Sequence, residues 1–244
     1  MSNNITGSPG RFCNHILRAL GASFLARQRN LKFNYGEYFS KMLLLGIDLF
    51  TNGIMTYTSQ QIITDTDIMM LLLKNIVFKR NINVNCAYFQ TKEFSNYLYN
   101  HFRHTNNQQS IIAANHFKGR YNTNNDVFVH VRLTDVAQQN QGFSYYDKVL
   151  GSITFEKGYI ASDDISHEIC QQLIKKYNLT PIMRDEVETI MFGSTCKHIV
   201  LTGGSFSYII GLFGFFSNVY YLHGNGSWYP PELFHIPSWK EITV

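Results

Sequence analysis

Arg132 and Asp135 stand just past a five-residue apolar run, Val127–Val131, that carries His130 inside it. The run has the length and composition of a short buried strand. An arginine at the carboxyl end of such a strand is placed to take a phosphate, because its planar fork matches phosphate oxygens in pairs. In open α/β sheets, ligands bind at those strand ends. The same nine residues also read as a strand end with an ordinary surface Arg–Asp pair. His130 reads equally as a structural histidine of the strand or as a group that meets a ligand.

Three further segments put polar groups at a strand end or a helix start. Gly10-Arg11-Phe12-Cys13-Asn14-His15 opens the first helical pattern, Ser162-Asp163-Asp164 ends a short apolar run, and Gly203-Gly204-Ser205-Phe206-Ser207 joins a strand to an apolar helix. The last has the strongest physical basis. Its glycines admit close backbone approach, and the open N–H groups of a helix start attract an anion. As a plain connection, it is a tight turn with Ser205 as N-cap. No GxxxxGK[ST], GxGxxG or GxSxG pattern occurs, so neither a P-loop, a dinucleotide fingerprint nor a hydrolase elbow is supported. Asp65-Thr66-Asp67 has the spacing of a metal-binding carboxylate pair, but reads as a helix cap and first turn. No metal is expected.

These groups need elements to hold them. Phe12, Ile16, Leu20 and Phe24 recur every four residues and predict a helix to about Arg29. Shorter patterns predict a strand at Leu31–Phe33, helices at Tyr38–Leu45 and Thr66–Lys74, a strand at Val84–Phe89 and a helix at Glu93–Phe102. His104–Asp126 is polar and irregular, with one short helical stretch at Ile111–Phe117, and a boundary between two halves, 1–115 and 116–244, is placed there. Beyond it strands and helices alternate. Strands are expected at Val127–Val131, Tyr159–Ala161, His198–Leu201 and Val219–Leu222. Helices are expected at Tyr146–Ile153, Ile165–Tyr177 (capped by Asp163 or Asp164), Val187–Ser194 and Phe206–Phe216. Such alternation implies an α/β fold with a parallel sheet. The tail from Gly224, with both tryptophans, is expected to pack back over it.

Hydrophobic residues make up 45% of the 244 and charged residues 16%, which excludes a disordered chain. The net charge of +4 is scattered, which disfavours nucleic acid and suits a small anionic ligand. Cys13, Cys86, Cys170 and Cys196 form no CxxC pair, so free thiols are the simplest reading. The start MSNNITGSPGR carries no signal-peptide pattern. The longest apolar stretch, Tyr208–Phe216, is far shorter than the roughly 20 residues of a membrane helix. The expectation is a soluble cytoplasmic protein.

Together the four segments resemble a family, the GT-B glycosyltransferases of the fucosyltransferase superfamily. Gly10–His15 is similar to the family's GR(F/L)GNQ motif, His130–Asp135 matches HxRxxD, Tyr159–Asp164 resembles its strand ending in SDD or TDD, and Gly204–Tyr208 resembles STFSWW or TFSSQ. They occur in the family's order and cover most of the chain. The departures are Cys13 for Gly, His15 for Gln, Leu133 for a frequent second arginine, and no carboxylate in Val136–Asn140, where the α1,6 group carries its base.

The resemblance implies two Rossmann-like halves facing across a cleft, an acceptor side at 1–115 and a donor side at 116–244. It implies inverting transfer of a sugar, fucose foremost, from a nucleotide diphosphate sugar, GDP-linked foremost, to a glycan hydroxyl. No cofactor, metal, nucleic acid or membrane span is implied. Arg132 and the Ser205–Ser207 helix start would stabilise the leaving diphosphate, and Asn14 would orient the β-phosphate or the acceptor. Arg11, Phe12, His15, His130, Asp163, Asp164, Gly204 and Phe206 would line the site. Asp185 or Glu186 would read a guanine edge. Asp135, Asp48 and Glu37 are candidate general bases. The rival readings are a nucleotide- or glycan-binding module without catalysis and, behind it, a nucleic-acid-binding protein.

Overall fold

The computed structural model describes residues 3–5, 10–74, 76, 79–140, 142–222 and 229–243. The polar lead-in around Gly7 and Pro9, and Trp228 of the tail, lie outside the described residues.

The first segment is built on one helix. After β1 (Asn3–Asn4) comes α1 (Phe12–Arg29), in which 14 residues are buried. A helix buried on nearly every side belongs inside a core. It stops at Asn30, whose left-handed backbone (φ 51) lets its N–H reach the Ala26 and Arg27 carbonyls. Around it lie β2 (Phe33–Asn34), α2 (Phe39–Leu44), β3 (Gln60–Ile62), α3 (Asp67–Leu73), β4 (Asn81–Asn83), α4 (Lys92–Arg103) and α5 (Thr105–Ala114). β1 pairs with β2 and β3 with β4, both in parallel.

The second segment carries the main sheet. Its elements are β5 (Val127–Val131), α6 (Gly142–Ser152), β6 (Gly158–Ser162), α7 (Glu168–Tyr177), β7 (Leu179–Pro181), α8 (Glu186–Gly193), β8 (His198–Val200), α9 (Gly204–Phe213), β9 (Asn218–Leu222) and β10 (Lys240–Ile242). The six strands are ordered β10-β9-β8-β5-β6-β7, and every pairing is parallel. The chain winds outward from β5 through β6 to β7, then returns to the other side of β5 with β8. Counted from β5 this is the doubly wound order 3-2-1-4-5-6, whose ligand crevice opens where the winding reverses, between β5 and β8.

Strand alternation sorts the two faces. Val127, Val129 and Val131 point into a core shared with Tyr145, Val149 and Leu173 of α6 and α7. Phe128 points the other way, into a core with Ile190 of α8, Ile209 of α9 and Ile16 and Leu20 of α1. That second core joins the two chain segments without a break.

Several expectations are corrected. Val84–Phe89 is a turn, not a strand; the pairing residues are Asn81–Asn83. The Asn- and Gln-rich stretch after His104 is helical as α5, burying only Ile111 among its own residues. α7 begins at Glu168, and its cap is His167, whose ring accepts the Ile169 N–H, rather than Asp163 or Asp164. β7 and β10 had no sequence signal. Both are edge strands three residues long, β7 contains Pro181, and each is largely exposed.

Candidate functional site

A cleft of about 1280 Å³ opens at the carboxyl ends of β5 and β8 and is walled by the head of α1. Arg132 leaves β5 into it, Asp135 follows on a 3-10 turn, and Asp163 leaves β6 beside them. Arg11 and Asn14 enter from α1, and Gly203, Gly204 and Ser205 from the start of α9. Phe12, His130 and Phe206, also expected from sequence, line it too.

The charged groups form a closed network. Arg132 donates through Nη2 to Asp135 and through Nη1 to Asp163 at 2.8 Å. Arg11 reaches Asp135 at 3.1 Å and Asp163 at 3.8 Å. Arg132 is 14% exposed and Arg11 61%, so the inner arginine is the more strongly held. Asp163 also accepts the Leu133 N–H (2.8 Å) and the Thr134 hydroxyl (2.6 Å). It thus fixes the chain just past β5 instead of capping a helix. Two guanidiniums with ten N–H donors between them retain capacity for an anion.

The two helix heads meet at Asn14. Its Oδ1 accepts the Ser205 hydroxyl at 2.6 Å and the Gln90 amide at 2.9 Å. Neither helix has a side-chain cap bond among the described residues. The Asn14 N–H turns back to the Arg11 carbonyl at 2.9 Å, and the N–H groups ahead of it at each helix head face one end of the cleft with no side-chain acceptor. Ser205, expected as N-cap, lies inside α9; the cap position is Gly203. A Cβ on Gly203 would stand 2.4 Å from the Tyr229 ring, so that glycine serves close packing. Gly204 has φ +76, which only glycine adopts freely.

Four expected residues lie off the cleft wall. His15 is buried beside Tyr38, with ring centroids 4.7 Å apart, and its pKa is lowered by burial and then by Arg18. Ser207 is buried beneath the floor, where its hydroxyl meets His130 Nδ1 at 2.6 Å. Burial pushes the His130 pKa down to about 4, against a smaller opposing effect of Asp163, so the ring is neutral at pH 7. Asp164 accepts from the backbone and hydroxyl of Ser166. Asp185 caps α8 through the Glu188 N–H. Glu186 does line the cleft, and is held by Lys41 of α2. Of the three candidate bases only Asp135 lines the cleft; Asp48 pairs with Arg27 at 2.7 Å.

The wall from α1's side was missed by the sequence reading. It is the turn carrying Tyr88 and Gln90, followed by Thr91–Glu93. Phe89 sits there at φ 53, a backbone state costing about 1–3 kcal/mol for such a residue. Asp65 compensates by accepting the N–H groups of Tyr88 (2.8 Å) and Phe89. Arg18, fully buried on α1, donates Nε to the Ala87 carbonyl at 2.8 Å. No local pattern signals this turn, since its partners are 23 and 69 positions away. Asp67 bonds the Thr64 backbone and hydroxyl, so both carboxylates of the Asp65–Asp67 pair have structural duties.

Among the described residues no cluster of three or more His, Cys, Asp or Glu could hold a metal ion, and no helix is long and apolar enough to cross a membrane. Comparison with known proteins finds no matching family model, no matching curated protein and no matching solved structure.

Proposed function

We propose that the chain is an inverting glycosyltransferase of GT-B type that moves a sugar, fucose foremost, from a nucleotide diphosphate sugar to a glycan hydroxyl. The observation that carries this reading is convergence. Arg132, Asn14, Asp163 and Gly203–Ser205 come from four separate stretches and line one cleft at the switch point of a doubly wound sheet.

In this reading the acceptor oxygen attacks the anomeric carbon from the face opposite the diphosphate. The new C–O bond forms as the bond to the β-phosphate oxygen breaks, and the electron pair leaves on the nucleotide diphosphate. Arg132, Arg11 and the open N–H groups of α1 and α9 stabilise that charge. The hydroxyl proton passes to a carboxylate, for which Asp135 is the candidate among those weighed from sequence. GDP is the favoured nucleotide, with Glu186 in place of Asp185 as the acidic group facing its base.

The test is a thermal-shift series with GDP, UDP, ADP and CDP, followed by transfer from the matching nucleotide sugar. A diphosphate that binds only the folded chain raises its melting temperature. No shift with any of the four would sink the reading. One observation favours a second reading, a nucleotide-binding module without catalysis: both oxygens of Asp135 are engaged by guanidiniums. Nucleotide binding with no hydrolysis or transfer would select it.

A further inference from the structure

We infer that the Tyr88–Gln90 turn is the acceptor subsite of the cleft, with the Tyr88 ring as the platform for one face of a sugar ring. The inference rests on the glycosyltransferase reading for the identity of its ligand, and on the construction of the turn for its existence.

The turn is held far more firmly than a connecting loop needs. Phe89 takes a left-handed backbone although it is neither Gly nor Asn. Its ring is fully buried, in a space that exists because residue 21 of α1 is glycine; a Cβ there would lie 2.4 Å from Phe89 Cδ2. Asp65 takes the backbone N–H groups of Tyr88 and Phe89, and the buried Arg18 takes the Ala87 carbonyl. Backbone strain that several independent contacts maintain marks a place where the chain is forced to present something. What it presents is Tyr88 and Gln90, which flank Phe89 and line the cleft.

Their chemistry fits a sugar. The Arg18 guanidinium lies 5.2 Å from the centre of the Tyr88 ring, bracing it against rotation. An aromatic ring fixed in a cleft packs against the C–H face of a pyranose, and polar groups beside it fix the hydroxyls. Gln90 and Glu93 supply an amide and a carboxylate on the same wall. Gln90 also bonds Asn14 at 2.9 Å, and Asn14 bonds Ser205. The turn therefore ends where the open helix heads begin, and a ring on Tyr88 would lie next to the end expected to hold the diphosphate.

Saturation-transfer NMR on the full chain tests this, with the methyl glycosides of β-galactose, β-glucose, β-N-acetylglucosamine and α-mannose as probes. The expected result is transfer to the ring protons of at least one glycoside. It should fall about fivefold or more in Tyr88→Leu and persist in Tyr88→Phe. GDP affinity by calorimetry should be unchanged in both. Tyr88→Phe keeps the packing on Arg18, so its retained signal separates loss of the platform from loss of folding. Undiminished transfer in folded Tyr88→Leu, or no transfer from the parent to any of the four glycosides, would overturn the subsite. Transfer that depends on Tyr88 in a chain that binds no nucleotide would uphold the subsite and refute the glycosyltransferase reading.

Discussion

Asn14 and Ser205 lie 191 positions apart in the chain and share a hydrogen bond of 2.6 Å between the starts of two helices. Gln90 donates to the same Asn14 oxygen, so one side chain joins α1, α9 and the Tyr88 turn. Two donors on one acceptor define which way the amide faces. Ser205→Ala is expected to cost about 1 kcal/mol in urea unfolding, the net worth of one such bond. The double variant Ser205→Ala/Gln90→Leu should depart from additivity by about 0.5 kcal/mol or more, because both act through Asn14. Strict additivity would mean that Asn14 is no junction.

Arg132→Ala is expected to fold and to lose roughly 10²-fold or more in turnover, the scale for removing one charge-stabilising donor. Folding survives because Asp163 keeps the Leu133 N–H, the Thr134 hydroxyl and Arg11 as partners. Steady-state kinetics of the folded variant decide the matter; near-normal transfer would remove Arg132 from the chemistry.

The second segment was legible because its signals are local. Four apolar residues and His130 at Val127–Val131 made a strand over just that range; in the first segment, too, the α1 periodicity ran to Arg29, where the helix ends. Arg132, Asp163, Asn14 and Gly203–Ser205 could be singled out for the same reason, as each lies where a strand ends or a helix begins. The Tyr88 turn was illegible because its conformation is imposed by Asp65, Arg18 and Gly21, residues distant in sequence. Tertiary contacts that override local preference leave no periodic trace. The caps failed similarly: Asp163 suits an N-cap by type, yet the nearby Arg132 claims it.

Gly204 separates backbone demand from mere space. Its φ is +76, so any L-residue is strained there. Gly204→Ala should therefore destabilise by about 1–2 kcal/mol, and Gly204→Val by more. Differential scanning calorimetry checks this. A melting temperature equal to the parent's would show that the turn relaxes to another conformation at no cost.

Transfer is expected to persist in EDTA. Asp65 is occupied by the backbone of the Tyr88 turn and Asp67 by Thr64, while two arginines stand at the expected phosphate position. Complete loss of activity with chelator, restored by Mn²⁺ or Mg²⁺, would reassign the charge-stabilising role to a metal.

His130 should make the chain acid-labile. Its folded pKa of about 4 lies below the ordinary value of 6.5, chiefly because burial disfavours the charged ring. The unfolded chain then takes up a proton near pH 6.5 that the folded chain refuses until about pH 4. Stability is therefore whole above pH 6.5, falls as the pH drops from 6.5 to 4, and levels off below. The loss from this residue is on the order of 3 kcal/mol. His15, His101 and His198 are shifted in the same direction and add to the slope. His130→Asn keeps a polar group beside Ser207 without a titrating ring, so urea midpoints of that variant should fall less steeply over this window than the parent's. Parallel curves for parent and variant would show that His130 takes up its proton in the folded chain as readily as in the unfolded one.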